Sequence, residues 1–139
     1  MAPLPSTVEQ TTSLGYAGML GGINNGVVIA GGGANFPEGK PWEGGAKVWS
    51  DTIFIFENGQ WRIADSRLPT PMGYGSSVQT PNGILIIGGN NSKNTSDKVF
   101  LLSYDIEHKR VLRKAYPDLP QPLAYTAAAV YDNHVYVIH

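Results

Sequence analysis

Short apolar runs, each bounded by glycine, proline or asparagine, are the main pattern along the chain. Typical examples are VVIAG from Val27 and GILII from Gly83. Runs of this length, rich in Val, Ile, Leu and Phe, are typical of β-strands rather than helices. The pattern therefore predicts an all-β fold, with strands at 17–22, 27–31, 52–56, 60–64, 75–80, 83–88, 98–104, 110–115, 125–131 and 134–138.

The predicted strands belong to a repeating unit. Three segments align: GYAGMLGGINNGVVIAGG, GYGSSVQTPNGILIIGG and AYTAAAVYDNHVYVIH. Each segment contains a tyrosine near its start (Tyr16, Tyr74 and Tyr125), then a turn at Asn-Asn-Gly, Pro-Asn-Gly or Asp-Asn-His, then an apolar strand. Asn-Gly favours a two-residue hairpin because both positions tolerate a positive φ. Each segment is therefore predicted to form a β-hairpin.

Glycine pairs and Leu-Pro steps mark the limits of the units. The pairs Gly31–Gly32 and Gly88–Gly89 follow a second strand, and each of the first two copies closes on Leu-Pro. Four short strands in a unit of roughly 50 residues, with a diglycine after the second, resemble the kelch repeats of a β-propeller. An unrelated β-sandwich is the alternative. The predicted organisation is one partial kelch β-propeller domain over 1–139, with blades at 15–68 and 73–119 and a half blade at 124–139.

The segment between the second and third strands of the first unit is long, aromatic and charged. From Gly33 to Ser50 it carries Phe36, Trp42 and Trp49 together with lysines and glutamates. Such long loops are usually functional or disordered, and disordered segments are poor in aromatic residues. We therefore expect this loop to be ordered and to bind a ligand.

Composition agrees with a turn-rich β fold and removes several functional classes. The 139 residues include 17 glycines and 10 prolines, and the formal net charge is −1. This charge gives no electrostatic reason to expect nucleic acid or a membrane surface as a partner. The chain contains no cysteine, so disulfides and thiolate metal sites are excluded. The three histidines lack the spacing of a zinc site. We expect no metal and no cofactor.

The residues of the long loop resemble a known family. Ala34-Asn35-Phe36-Pro37, Pro41-Trp42-Glu43-Gly44-Gly45 and Lys47-Val48-Trp49 match segments found in this order in the cyclically permuted sialic acid mutarotases. These bacterial proteins are kelch-type, six-bladed propellers related to N-acetylneuraminate epimerase. The chain supplies about two and a half blades, so the resemblance implies a fragment of such a propeller. The remaining blades are then expected from the same chain or from another.

The resemblance implies that the full-length protein is an isomerase, a mutarotase that interconverts the anomers of N-acetylneuraminate or a related sugar. Ring opening and closure need general acid–base groups that move protons at the anomeric hydroxyl and the ring oxygen. In the long loop, Glu43 is the catalytic candidate and Lys47 can bind the sugar carboxylate. The other substrate-binding candidates are Asn35, Phe36, Trp42 and Trp49.

Each candidate also has a structural interpretation. Glu43 and Lys47 are four residues apart and can form a solvated ion pair. Trp42 and Trp49 can anchor the loop on the scaffold, and Asn35 can shape the turn.

The alternative function is a kelch module that binds a protein or a carbohydrate without catalysis. Kelch modules that bind peptides often carry an arginine after the inter-blade proline. This chain has Met72 and Leu123 at those places, so the small-sugar interpretation is favoured.

Two further expectations concern location and core. The N-terminal MAPLPSTVEQTTS lacks the basic and apolar regions of a signal peptide, whereas the resemblance favours a periplasmic or otherwise extracytoplasmic location; the compartment stays open. The apolar strands predict a core that includes Ile29, Ile53, Phe54, Leu85, Ile86, Phe100, Leu102 and Val137.

Overall fold

The structure is a computed structural model that describes residues 2–6 and 13–139. Within these residues, the secondary structure consists of strands and one three-residue 3-10 helix, Pro41–Glu43. The strands are β1 Leu20–Asn24, β2 Val27–Gly31, β3 Ala34–Asn35, β4 Val48–Trp49, β5 Thr52–Glu57, β6 Gln60–Arg67, β7 Ser76–Thr80, β8 Gly83–Ile87, β9 Val99–Asp105, β10 Arg110–Tyr116, β11 Ala127–Tyr131 and β12 His134–Ile138. In the described part of the chain, no helix is long and apolar enough to cross a membrane.

The strands form successive antiparallel sheets along the chain. The first sheet has the order β1-β2-β5-β6, the second contains β7 to β10 in sequence order, and β11 pairs with β12. A sheet of four strands in meander order is the blade of a β-propeller. The predicted fold class, an all-β kelch-type propeller of which two blades and part of a third are present, is confirmed.

Two of the hairpin turns follow the Asn-Gly prediction. At Asn25–Gly26 and Asn58–Gly59 both residues have a positive φ, between 49° and 81°, as a type I′ turn requires. The turn between β7 and β8 differs, because Thr80 pairs directly with Gly83 and Pro81–Asn82 form the loop. Proline fixes φ near −65°, so this turn cannot be of type I′.

The first unit aligns differently in the structure from the alignment predicted by its tyrosines. The N–H of Tyr74 donates to the carbonyl of Gly18 at 2.9 Å, and the N–H of Tyr125 donates to that of Tyr74 at 2.8 Å. These three residues all lie two positions before a first strand and have φ of +69°, +58° and +58°. The equivalent of Tyr74 is therefore Gly18, not Tyr16. The sequence allowed this error because strand side chains alternate with a period of two, so a slip of two residues keeps the same apolar pattern.

The first glycine pair is also shifted, by one residue. Gly32 and Gly33 donate to the carbonyls of Thr52 and Met72. Gly88–Gly89 donate in the same way to Lys98 and Leu123. The structural pair is thus Gly32–Gly33, while Gly31 ends β2. Three consecutive glycines left the choice open in the sequence.

The core lies between the two complete sheets, where β1 contacts β7 and β8 and β6 contacts β10. Seven of the eight predicted core residues are buried: Ile29, Ile53, Phe54, Leu85, Ile86, Phe100 and Leu102. Val137 is only partly buried and packs on a smaller cluster that includes Leu85. The core prediction is confirmed for the two complete sheets.

The apolar side chains of the third sheet are far more exposed to solvent than those of the first two sheets. They include Tyr131, Tyr136 and Ile138, which are 74%, 51% and 63% exposed. Repeat units bury their faces against neighbouring units. That further blades cover these faces stays a prediction.

Candidate functional site

The segment between β2 and β5 is ordered by a short ladder rather than being irregular throughout. Ala34 pairs with Trp49 and Asn35 with Val48, and the N–H of Ser50 donates to the carbonyl of Gly33 at 2.9 Å. The 3-10 helix Pro41–Glu43 forms the tip. The ladder therefore fixes the base of the loop, where Lys47 and Trp49 lie, and leaves the tip further out.

The tip carries two of the predicted residues, and both are exposed. The Glu43 carboxylate accepts a hydrogen bond from the N–H of Lys40 at 3.0 Å, and thus caps the 3-10 helix. Trp42 is 77% exposed, and the Lys40 ammonium lies 5.3 Å from the centroid of one of its rings. Within the described residues Glu43 makes no ion pair with Lys47. Trp42 therefore does not anchor the loop, and Glu43 has a local structural role.

Lys47 occupies a different environment, between aromatic rings. Its ammonium nitrogen lies 4.9 Å from a ring centroid of Trp49 and 4.3 Å from that of Tyr74. A cation over an aromatic face is attracted by the ring quadrupole. In the described part of the chain no carboxylate lies within 4.0 Å of this ammonium. We call Lys47, Trp49 and Tyr74 the Lys47 cluster; its positive charge is held in place without a neutralising anion.

A second pair of rings continues from this cluster. The centroids of Tyr74 and Tyr125 are 4.9 Å apart, and the Tyr125 hydroxyl accepts a hydrogen bond from Asn90 Nδ2 at 3.1 Å. The Asn90 Oδ1 atom is buried and has no partner among the described residues. Residues associated with three successive sheets thus meet here: Lys47, Tyr74, Tyr125 and Asn90.

A cleft of about 670 Å³ lies against the Lys47 cluster. Its walls are the base of the long loop (Lys47–Trp49), the inter-blade segment Pro69–Met72 and the loop Asn90–Lys98. We call it the large cleft; its volume lies within the usual range for a small-molecule site.

The lysines of the large cleft differ in their pairing. The Lys98 ammonium lies 2.6 Å from Asp118 and 3.4 Å from Asp97; hydrogen bonds to these two carboxylates raise the pKa of Lys98. Lys93 is exposed and makes no ion pair with any described residue. Among the described residues, Lys47 is the one lysine lining the large cleft whose ammonium lies over aromatic rings.

A smaller cleft of about 260 Å³ adjoins the other side of the loop base. Val48 and Trp49 line both clefts, and Asn35 lines the smaller one. The Asn35 side chain donates to the carbonyl of Gly15 at 3.0 Å, so its amide nitrogen shapes the backbone, as the structural interpretation expected. The half-buried Trp49 has a buried indole N–H without a partner among the described residues.

Comparison with known proteins decides the family. A family model for N-acetylneuraminate epimerase matches residues 1–111. The chain belongs to the N-acetylneuraminate epimerase family. The resemblance read from the long loop is confirmed.

Individual members of this family and one solved structure show the extent of the likeness. The N-acetylneuraminate epimerase of Vibrio cholerae serotype O1 is 36% identical over 115 residues, which cover 76% of this chain and 30% of the relative. That of Haemophilus influenzae strain PittEE is 40% identical over 101 residues, covering 66% and 27%. The solved structure of YjhT matches with a TM-score of 0.63 and 29% identity, over 76% of this chain and 32% of that one. The chain thus spans about a third or less of these proteins.

The structure brings together some of the predicted site residues and separates others. Lys47 and Trp49 come together at the large cleft, Asn35 lies at the smaller cleft, and Trp42 and Glu43 line neither. Phe36 is half-buried at the base of the loop. In the sequence Tyr74 and Tyr125 stand out only as repeat markers, because their contact with Lys47 and Asn90 depends on how the sheets pack. Over residues 2–6 and 13–139 no group of three or more His, Asp or Glu residues is placed to hold a metal.

Proposed function

We propose that this family member forms part of a mutarotase that interconverts the anomers of N-acetylneuraminate. One observation carries the proposal beyond family membership: the Lys47 ammonium is fixed between Trp49 and Tyr74 at a cleft, with no carboxylate of the described residues beside it. N-acetylneuraminate is a carboxylate with apolar C–H faces. A cation flanked by aromatic rings suits both of these features.

In this proposal Lys47 binds the sugar carboxylate, and Trp49 contacts the ring. A charge-assisted hydrogen bond between an ammonium and a carboxylate is stronger than a neutral one. The bound carboxylate therefore fixes the orientation of the anomeric carbon, to which it is attached. Phe36 supports the base of the loop. The hydrogen bond from the Asn35 side chain to the carbonyl of Gly15 holds the start of the loop in place.

Proton transfer at the anomeric hydroxyl and the ring oxygen requires acid–base groups. We propose that Glu43 is one of these acid–base groups, because it is the one candidate carboxylate that the family resemblance supplies from this chain. Because the relatives are about three times as long, further blades are also proposed to contribute to the site. A protein that binds the sugar without catalysis is the second candidate, favoured by the position of Glu43 outside both clefts.

Anomer exchange measured by proton NMR separates these functions. A complete propeller carrying this sequence is incubated with N-acetylneuraminate, and exchange between the α and β signals is compared with the rate in buffer alone. We expect exchange to be faster with the protein and to saturate with sugar concentration. Binding without faster exchange would support the non-catalytic module, and the absence of both binding and exchange would contradict the proposal.

A further inference from the structure

Tyr74 and Tyr125 adopt a backbone conformation that tyrosine rarely takes. Both have a φ of +58°, in the left-handed region that favours glycine. Gly18 occupies the equivalent position of the first sheet. Bulky residues in this region cost free energy, and such outliers cluster at functional sites. Glycine would adopt this conformation at a lower cost in free energy, so the two tyrosine side chains are candidates for a functional role.

The Tyr125 hydroxyl has its acceptor side occupied and its proton available. It accepts a hydrogen bond from Asn90 Nδ2 at 3.1 Å, and among the described residues no acceptor for its own proton is present. A phenol can donate one hydrogen bond while it accepts another. Within the described residues Tyr125 is 68% exposed, so they leave most of this residue uncovered.

Tyr74 links the ring that carries this hydroxyl to the cation proposed to bind the sugar. The Lys47 ammonium is 4.3 Å from the centroid of Tyr74, which in turn is 4.9 Å from that of Tyr125. The distance from the ammonium to the Tyr125 ring centroid is therefore at most the sum of these two distances. Asn90 lines the large cleft together with Lys47.

We infer that Tyr125 is a second contact for the sugar that Lys47 binds: its phenolic O–H donates to a sugar oxygen, and Asn90 positions it. This inference rests on the proposed function and adds the substrate-binding Tyr125 and the positioning residue Asn90. Tyr74 contacts both the Lys47 ammonium and the Tyr125 ring.

The test measures binding of N-acetylneuraminate to the complete propeller by isothermal titration calorimetry. Removing one neutral hydrogen bond by Tyr125→Phe should raise the Kd about three- to tenfold, while kcat changes less than KM. Tyr131→Phe is the matched control, because this tyrosine ends strand β11, which begins two residues after Tyr125, and makes no side-chain hydrogen bond with the described residues. It should leave the Kd unchanged.

Asn90→Ala separates positioning from a merely structural effect. Alone it should weaken binding as Tyr125→Phe does, and combined with Tyr125→Phe it should weaken binding no further, because Asn90 acts through the hydroxyl. A thermal melt of each variant checks that the fold is kept.

The outcomes distinguish the inference from the proposed function. If wild-type protein binds the sugar and Tyr125→Phe binds it equally well, the inference alone is overturned. The same holds if Asn90→Ala weakens binding by the same factor with and without the Tyr125 hydroxyl. If wild-type protein neither binds the sugar nor exchanges its anomers, the proposed function fails, and the inference with it.

Discussion

Replacing Gly18 by alanine is expected to destabilise the contact between the first two blades. A Cβ at Gly18 would lie 2.5 Å from Cδ1 and 2.6 Å from Cε1 of Tyr74, far inside van der Waals contact. The Tyr74 ring also contacts the Lys47 ammonium and the Tyr125 ring, so moving it away from an added Cβ would disturb these contacts. Gly18 also has a φ of +69°, which an alanine rarely adopts.

The magnitude has two parts, and a control separates them. The left-handed conformation costs alanine about 1–2 kcal/mol, and displacing a packed ring costs about 1–3 kcal/mol more. Gly26 has a φ of +81° and no atom within 4 Å of an added Cβ, so Gly26→Ala carries only the first part. Urea unfolding should therefore show a larger loss of the free energy of unfolding for Gly18→Ala, by about 1–3 kcal/mol. Equal losses would refute the tight contact between Gly18 and Tyr74.

Three other substitutions test the site and the core. Lys47→Met should raise the Kd for N-acetylneuraminate, measured by calorimetry, about tenfold or more, since a hydrogen bond to a charged group contributes about 1.5–3 kcal/mol. The control Lys93→Met, in the same cleft, should have little effect on the Kd. Equal effects of the two substitutions would argue against a specific carboxylate site. Glu43→Gln keeps the shape of the side chain and an acceptor oxygen, so it should leave the melting temperature nearly unchanged. Because it removes the ionisable group, anomer exchange measured by NMR should be at least about tenfold slower. An unchanged exchange rate would assign proton transfer to other blades. Ile86→Ala should cost about 2–5 kcal/mol in urea unfolding because Ile86 is fully buried, whereas Ile23→Ala, at a half-exposed position, should cost clearly less; similar losses would contradict the packing of the core.

The sequence predicted the strands well where local signals are strong. The apolar runs Val27–Gly31 and His134–Ile138 are strands with the predicted limits, because short apolar runs bounded by turn residues have few alternatives. The first strand begins at Leu20 rather than at residue 17. Small residues before it carry no signal that separates one register from another two residues away.

The candidate site was harder to predict, because its residues meet only through packing between sheets. The sequence of the long loop predicts Lys47 and Trp49 as binding residues, and their side chains do lie together. The partners Tyr74 and Tyr125 come from the second and third sheets, and their left-handed backbone is invisible in a sequence. Glu43 has the chemistry of a catalytic acid, yet the 3-10 turn directs its carboxylate to the N–H of Lys40.

The central claim is that the Lys47 cluster binds the carboxylate of the sugar. A crystal structure of a complete propeller carrying this sequence, soaked with N-acetylneuraminate, tests it most directly. The account predicts a carboxylate oxygen about 2.7–2.9 Å from the Lys47 ammonium nitrogen, with the sugar ring beside Trp49. A sugar bound elsewhere in the propeller, with the Lys47 ammonium still between its two rings and no anion beside it, would contradict the account.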